Sequence, residues 1–240
     1  MTPSNVLQLE LAAAFSSRRA LALRVGVALL LGLPFVFAPM PLRARACGLC
    51  VLTVFVSFFG AAVGLVRRRA EGQWTRLALL PIPRSIVWSD LLLAGGVVDL
   101  VQTAPVVGLL AVVHGLPTAG GALLSAAGAL CACVLTLNAL GMLLAVAVRT
   151  NAEVHLAGAL GVGVLVLLSG LVPTAGPLAG VVAAASPFSP VAWLEHALRA
   201  MAADASSVGR HSVLAGSLVL LILAAWLAAR TVGGPRESEE

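Results

Sequence analysis

The sequence of 240 residues is too apolar for a soluble domain. Hydrophobic residues make up 60% of it and charged residues 10%, with a formal net charge of +5. A soluble domain of this size must keep its outer layer polar, so we expect lipid to solvate much of the surface. Every basic residue is arginine, and no lysine occurs. A standard P-loop needs a lysine to reach the nucleotide phosphates, so the composition excludes that ATP site in this chain.

The first predicted element is an amphipathic helix over residues 5–19. Leu7, Leu11 and Phe15 share one side of it, and Arg19 lies away from that side. Such a helix lies in the membrane interface, with its arginines toward anionic lipid headgroups.

Six apolar runs follow, and a helix needs about 20 apolar residues to cross the hydrocarbon core. The predicted spans cover residues 21–37, 46–66, 86–113, 121–148, 154–172 and 212–229. The third and fourth runs exceed the core thickness, so we expect them to tilt or to project from it. The sequence therefore predicts an all-α polytopic membrane protein with a single transmembrane domain over residues 1–240.

The segment 178–201, between the last two runs, is interrupted. It is apolar as far as Ala185, where the sequence Ser-Pro-Phe-Ser-Pro breaks it, and an amphipathic piece then runs to Met201. Its apolar part is too short to span, so we expect a re-entrant or interfacial pair of helices on the outer side, and a short seventh span is the alternative.

The placement of arginine predicts the orientation. With the N-terminus inside, only Arg43, Arg45, Arg199 and Arg210 fall outside, and the other eleven of the 15 arginines are cytoplasmic. Short cytoplasmic loops carry an excess of basic residues, so we expect both termini in the cytoplasm and the chain in the inner (plasma) membrane.

The loop between the second and third spans is the most polar part of the chain. Three apolar residues within it recur at helical spacing: Trp74, Leu77 and Leu80. This spacing predicts a short surface helix over residues 73–80. Pro81 and Pro83 end it, because the residue before a proline is pushed out of the helical region. The alternative interpretation is a plain linker, whose arginines only reflect the excess of basic residues in cytoplasmic loops.

These features together resemble the permeases of the ABC type-2 family. Many members carry, after their second span, a cytoplasmic Glu-x-Gly followed by a leucine, a proline and an arginine. The matching residues here are Glu71-Gly72-Gln73-Trp74 and then Leu77-Ala78-Leu79-Leu80-Pro81-Ile82-Pro83-Arg84. Glutamate and glycine are adjacent in this chain, whereas the family often separates them by one residue. The N-terminal helix, the six spans and the broken hairpin before the last span extend the resemblance along the chain.

The resemblance implies the permease subunit of an ABC exporter, whose loop is a coupling helix that docks on a separate ATP-binding subunit. The residues that would form this contact are Glu71, Gly72, Trp74, Arg76, Leu77, Leu80, Pro81, Pro83 and Arg84. The family also implies a second permease copy, in a homodimer or a heterodimer. ATP would be hydrolysed in the partner subunit, so we expect this chain to bind no cofactor or metal and to be no enzyme. Its other contacts would be with membrane lipid, and no nucleic-acid partner is expected.

Polar residues inside the spans are candidates for a translocation path. Asp99 lies near the middle of the third span, with Gln102 and Thr103 one turn further on, and Asn138 lies in the fourth span. An ionisable group at that depth is costly and therefore a functional candidate by default. The alternative is a structural hydrogen bond between Asp99 and another span, for which Asn138 is a suitable partner.

Two short motifs each allow a specific interpretation and a nonspecific one. Gly60 and Gly64 form a G-x-x-x-G pattern, which can serve close helix packing or arise by chance in a glycine-rich chain. Cys47 and Cys50 form C-x-x-C, which can be a redox pair, half of a metal site, or two small helix residues.

Other classes of protein remain open at this stage. Within the ABC interpretation, a haem-exporter-like permease of cytochrome c maturation has a similar Leu-Leu-Pro-Leu-Pro stretch. A secondary transporter would more often show inverted repeats, and none is clear here. An intramembrane enzyme would need a nucleophile or metal motif, and neither H-E-x-x-H nor G-x-S-x-G occurs.

Overall fold

The computed structural model describes residues 6–73, 82–114 and 120–203, and within them all regular structure is helical. The predicted all-α class is therefore confirmed for this part of the chain. The helices in chain order are α1 Val6–Ser16, α2 Arg18–Phe37, α3 Leu42–Ala70, α4 Arg84–Val113, α5 Gly120–Ala147, α6 Asn151–Leu168, α7 Pro177–Ala185 and α8 Pro190–Ala203. Helix α3 contains one π-helical turn at Phe55–Phe59.

Five of the described helices, α2 to α6, are long and apolar enough to cross a membrane. They overlap the first five predicted runs, and α3 and α4 are the longest, with 29 and 30 residues. Much of the outer surface of α2 and α6 is apolar and exposed, as lipid-facing surface should be, including Leu23, Leu30, Leu156 and Leu160. The predicted sixth span, residues 212–229, lies outside the described residues.

Helices α7 and α8 form a broken pair, bent by 75°. The break has a local cause, since Ser186–Phe188 forms a tighter 3₁₀ turn and Pro190 then begins α8. The indole Nε1 of Trp193 donates to the carbonyl oxygen of Pro187 at 2.7 Å, which holds the corner. By length and composition the pair fits one broken span or a re-entrant loop.

Helix α1 differs from the predicted helix over residues 5–19. It ends at Ser16, and Ser17 begins a new helix by accepting a hydrogen bond on Oγ from the Ala20 amide at 3.3 Å. The first turn of α1 is held by α4, because the Leu7 amide donates to the Asp90 carboxylate at 3.1 Å. The free amide groups at a helix N-terminus attract a carboxylate.

Arginines tie the helix ends together at both ends of the bundle. At one end Arg69 of α3 donates to the carbonyl oxygens of Ala145 and Val148 at 2.5 and 3.0 Å, which places the last turns of α3 and α5 side by side. At the other end Arg45 donates to the carbonyl oxygens of Val36, Ala38 and Met40 and contacts His114. Each guanidinium satisfies carbonyl groups that a helix end leaves unpaired.

The side of the membrane on which each end lies can be tested by cysteine labelling. In a cysteine-free background, we expect Gln73→Cys and Ser238→Cys to resist a membrane-impermeant thiol reagent in intact cells and to react after permeabilisation. The reason is that the arginine excess predicts both positions on the cytoplasmic side. Rapid labelling of either position in intact cells would contradict a cytoplasmic loop or C-terminus.

Glycines allow α5 to pack closely against α3. A Cβ atom added at Gly141 would lie 2.2 Å from the backbone oxygen of Phe58, so the two backbones are in direct contact there. Gly128, in the same helix, has nothing within 4 Å of its Cβ position.

These two glycines provide a matched test of the packing. Gly141→Ala should destabilise the folded chain by roughly 1–3 kcal/mol, because the added methyl group forces the helices apart. Gly128→Ala adds the same methyl group to the same helix and should leave stability unchanged or slightly raised. Thermal inactivation of both purified variants in one detergent checks the difference, and equal melting temperatures would refute the contact.

Candidate functional site

A hydrogen bond joins α4 and α5 in the middle of the bundle. The Nδ2 of Asn138 donates to Oδ2 of Asp99 at 2.6 Å and also reaches the Val134 carbonyl oxygen at 3.2 Å. The Nε2 of Gln102 lies 3.5 Å from Oδ1 of Asp99. Asp99 and Asn138 are 8% and 2% exposed. Sequence reasoning offered Asn138 as a possible structural partner of Asp99, and the structure places the two side chains together.

The sequence makes room for this pair with a glycine. Gly95 lies one turn before Asp99 on α4, and a Cβ atom added there would lie 3.0 Å from the Oδ1 of Asn138. The neighbouring Gly96 faces Leu135 of α5 in the same way, with 2.5 Å between its Cβ position and the nearest methyl carbon. The Gly-Gly step in α4 therefore lets α5 approach closely enough for the amide to reach the carboxylate.

The pair borders a cavity of about 520 Å³ between α1, α2, α3, α4 and α5. Asp99, Gln102 and Asn138 all line it. Thr103, the fourth predicted path residue, is buried and does not line it, and its hydroxyl donates to the Asp99 carbonyl oxygen of its own helix at 2.8 Å. Three of the four predicted residues therefore share one cavity.

The cavity is long and mostly apolar. Its lining on α4 extends from Leu91 to Gln102, twelve residues, whose ends lie roughly 17 Å apart at a helical rise of 1.5 Å per residue. One end holds the carboxylate and amides of the Asp99 group. The other end holds Arg68 and Glu10, which form an ion pair at 2.6 Å. Between them the wall consists mainly of aliphatic and aromatic side chains.

A π-helical turn forms part of this wall. Phe55 and Phe59, at the ends of the turn, line the cavity, and their ring centroids lie 5.1 Å apart in a stacked arrangement. The Ser57 hydroxyl between them is buried, next to the Asp99 carboxylate but without a well-formed hydrogen bond to it. Such turns inside α-helices occur often at functional sites.

Sequence reasoning did not identify these wall residues. The one available signal was the Phe-Val-Ser-Phe-Phe run, because several aromatic residues within two turns must crowd one helix face. Arg24 also lines the cavity, and the sequence suggested only that it counts among the cytoplasmic arginines.

The G-x-x-x-G pattern of α3 does not pack against another helix in the described part of the chain. Gly60 and Gly64 both line the cavity, and nothing lies within 4 Å of a Cβ atom built at either position. Their effect here is to widen the cavity beside Phe59.

Only part of the predicted coupling segment is described. Glu71 pairs with Arg67 at 2.8 Å and accepts a hydrogen bond from Gln73 at 3.0 Å. Gly72 has a φ of +70°, a left-handed conformation that glycine adopts readily at the end of a helix. Pro83 immediately precedes the first residue of α4, Arg84. Other predicted contact residues lie outside the described residues: Trp74, Arg76, Leu77, Leu80 and Pro81.

The cysteines and the Glu195 region form no metal site among residues 6–73, 82–114 and 120–203. Cys50 is buried against the Val191 carbonyl oxygen, as a small helix residue would be. Glu195 is 5% exposed and pairs with Arg199 at 2.7 Å. Its neighbour His196 remains exposed.

Comparison with known proteins adds no family to this description. No family model matches the chain, and no curated protein sequence matches it either. The described residues define an all-helical chain whose five or six apolar helices are compatible with a multi-pass membrane protein.

Proposed function

We propose that this chain is the permease subunit of an ABC type-2 exporter, driven by a separate ATP-binding subunit. The observation that carries the proposal is the Glu71–Arg84 segment, which resembles the family's coupling segment. It connects two of the apolar helices, α3 and α4. The absence of lysine from the sequence supports a separate ATP-binding subunit, because a standard P-loop needs a lysine and ATP would have to be bound on another chain.

The geometry of α3 and α4 supports a coupling role for the loop between them. Both helices leave the loop and then line the cavity, α3 between Arg68 and Phe55 and α4 between Leu91 and Gln102. Helix α1 is joined to the same ends through the Glu10–Arg68 and Leu7–Asp90 contacts. A force applied to the loop would therefore reach the cavity walls as a rigid-body tilt of packed helices.

The proposed assembly contains two permease chains and two ATP-binding chains in the inner (plasma) membrane, with the loop and both termini in the cytoplasm. The cavity would form part of the translocation path, with Asp99, Gln102 and Asn138 as its polar group.

The buried Asp99 group also favours a second candidate function, a secondary transporter. In such transporters, carboxylates inside the membrane bind the coupling ion or proton. The two candidates differ in energy source, because only the ABC proposal requires an ATPase chain.

The proposal is tested by purifying the tagged chain from its native membranes in mild detergent. We expect a stoichiometric partner whose sequence carries a P-loop, together with ATP hydrolysis that orthovanadate inhibits. Recovery of the chain without a P-loop partner, from membranes in which it is functional, would refute the proposal and favour the secondary transporter.

A further inference from the structure

Asp99 is a buried carboxylate whose close partners are neutral. Its hydrogen bonds come from the amides of Asn138 and Gln102. Among the described residues, Asp99 forms no ion pair, because no arginine or histidine nitrogen lies within 4.0 Å of its carboxylate oxygens. A charge at this depth is costly unless an opposite charge balances it. The side chain borders an open cavity, so a bound molecule can supply that balance.

The cavity wall suits a cation for a second reason. Phe55 and Phe59 line the same space with their rings stacked on each other, and Phe55 is 49% exposed although its helix neighbours are mostly packed. Aromatic faces attract organic cations, most strongly where water is excluded. The volume of about 520 Å³ is typical of sites for small molecules, which range from roughly 300 to 1,000 Å³.

Two arginines also line the cavity, and their surroundings differ from those of Asp99. Arg68 is balanced by Glu10 at 2.6 Å. Arg24 acts on Asp99 electrostatically from beyond ion-pair distance, and its own side chain is exposed. A long exposed arginine can extend toward water or lipid headgroups, whereas the buried carboxylate cannot move to them. The unbalanced charge that a ligand would meet inside the cavity is therefore negative.

We propose that the cavity binds an amphipathic organic cation. Its positive group would lie beside Asp99 and the exposed ring of Phe55. Its apolar body would lie along the aliphatic wall of α2 and α3: Leu23, Val27, Leu31, Val56 and Ala61. That this ligand is the exported substrate rests on the proposed function, whereas binding to the cavity does not.

The test uses two probes of matched shape and opposite charge, tetraphenylphosphonium and tetraphenylborate. Binding of each to the full purified chain in detergent is measured by equilibrium dialysis against protein-free micelles, which corrects for partition into detergent. We expect saturable binding of the cation and weaker binding of the anion. No ATPase is needed, so failure here would leave the co-purification test of the proposed function unaffected.

Four variants locate the site. Asp99→Asn keeps the shape and should weaken cation binding by on the order of tenfold or more. Phe55→Leu should weaken it by roughly threefold, through loss of the aromatic face. Arg24→Gln removes the competing positive charge and should leave cation binding unchanged or tighter. Glu195→Gln, which changes a buried carboxylate outside the cavity, is the matched control and should bind as the original chain does.

Two results would overturn the inference. One is the absence of saturable cation binding, or equal binding by the Asp99→Asn variant and the original chain at equal folded yield. The other is a preference for the anion that Arg24→Gln abolishes, which would assign the cavity to anionic molecules such as lipid phosphates.

Discussion

Leu77→Asp is expected to release the ATP-binding subunit from the permease. Leu77 is the central residue of the predicted apolar face of the coupling helix, flanked on that face by Trp74 and Leu80. Loss of one buried anchor from such an interface costs on the order of 2 kcal/mol or more, which corresponds to roughly thirtyfold in affinity. The measurement is the amount of ATPase retained on the immobilised permease after washing, with permease-stimulated ATP hydrolysis as a second readout.

Thr75→Asp is the matched control for this prediction. It adds the same charge to the same predicted helix, but on the side that a helix of 100° per residue would place opposite to Leu77. We expect it to retain the ATPase. Both variants must reach the membrane in equal amounts. If Leu77→Asp retains the partner as well as Thr75→Asp does, the stretch is the plain linker of the alternative interpretation.

Asp99→Leu is expected to abolish export while the chain still inserts and folds. The change removes the cavity carboxylate together with the hydrogen bond from Asn138 at 2.6 Å. Loss of a buried hydrogen bond costs about 1–3 kcal/mol. The Asn138 amide keeps its contact with the Val134 carbonyl oxygen, so the structural part of this cost should stay small. Export normalised to the amount of folded chain should therefore fall much further than stability does.

Thr136→Val controls for the loss of a buried polar group elsewhere. Thr136 is buried on α5, does not line the cavity, and donates only to the carbonyl oxygen of Ala132 in its own helix at 2.8 Å. We expect normal export from this variant. Normal export from Asp99→Leu at normal abundance would show that the Asp99–Asn138 bond serves only helix packing.

The sequence was most informative where one physical effect dominates. Hydrophobic run length alone predicted apolar helices, and the described helices α2 to α6 overlap the first five runs, because a bilayer leaves few alternatives to a helix of about 20 residues. The interruption at residues 186–190 was equally clear, because two prolines within five residues cannot continue one straight helix.

The sequence was less informative about contacts between distant residues. It placed Asp99 and Asn138 in different spans, but their bond depends on the close approach that Gly95 and Gly96 permit. A glycine pattern does not reveal its partner, so the sequence left Gly60 and Gly64 open between close packing and chance, and the structure places both beside a cavity.

The N-terminal helix shows what distant contacts add to an interpretation. Its pattern indicated a helix lying in the membrane interface. The contacts from Leu7 to Asp90 and from Glu10 to Arg68 also attach it to α4 and α3, 83 and 58 residues away along the chain. Periodicity reports which side of a helix is apolar and cannot report which charged residue will meet it.

The central claim is that a separate ATP-binding chain drives this permease, and ATP hydrolysis by the complex reconstituted in lipid tests it most directly. The account predicts no hydrolysis by this chain alone. It predicts hydrolysis by the complex that is faster than that of the isolated ATPase and is stopped by orthovanadate. Export by this chain alone in vesicles, driven by a proton or sodium gradient with no ATPase present, would contradict it.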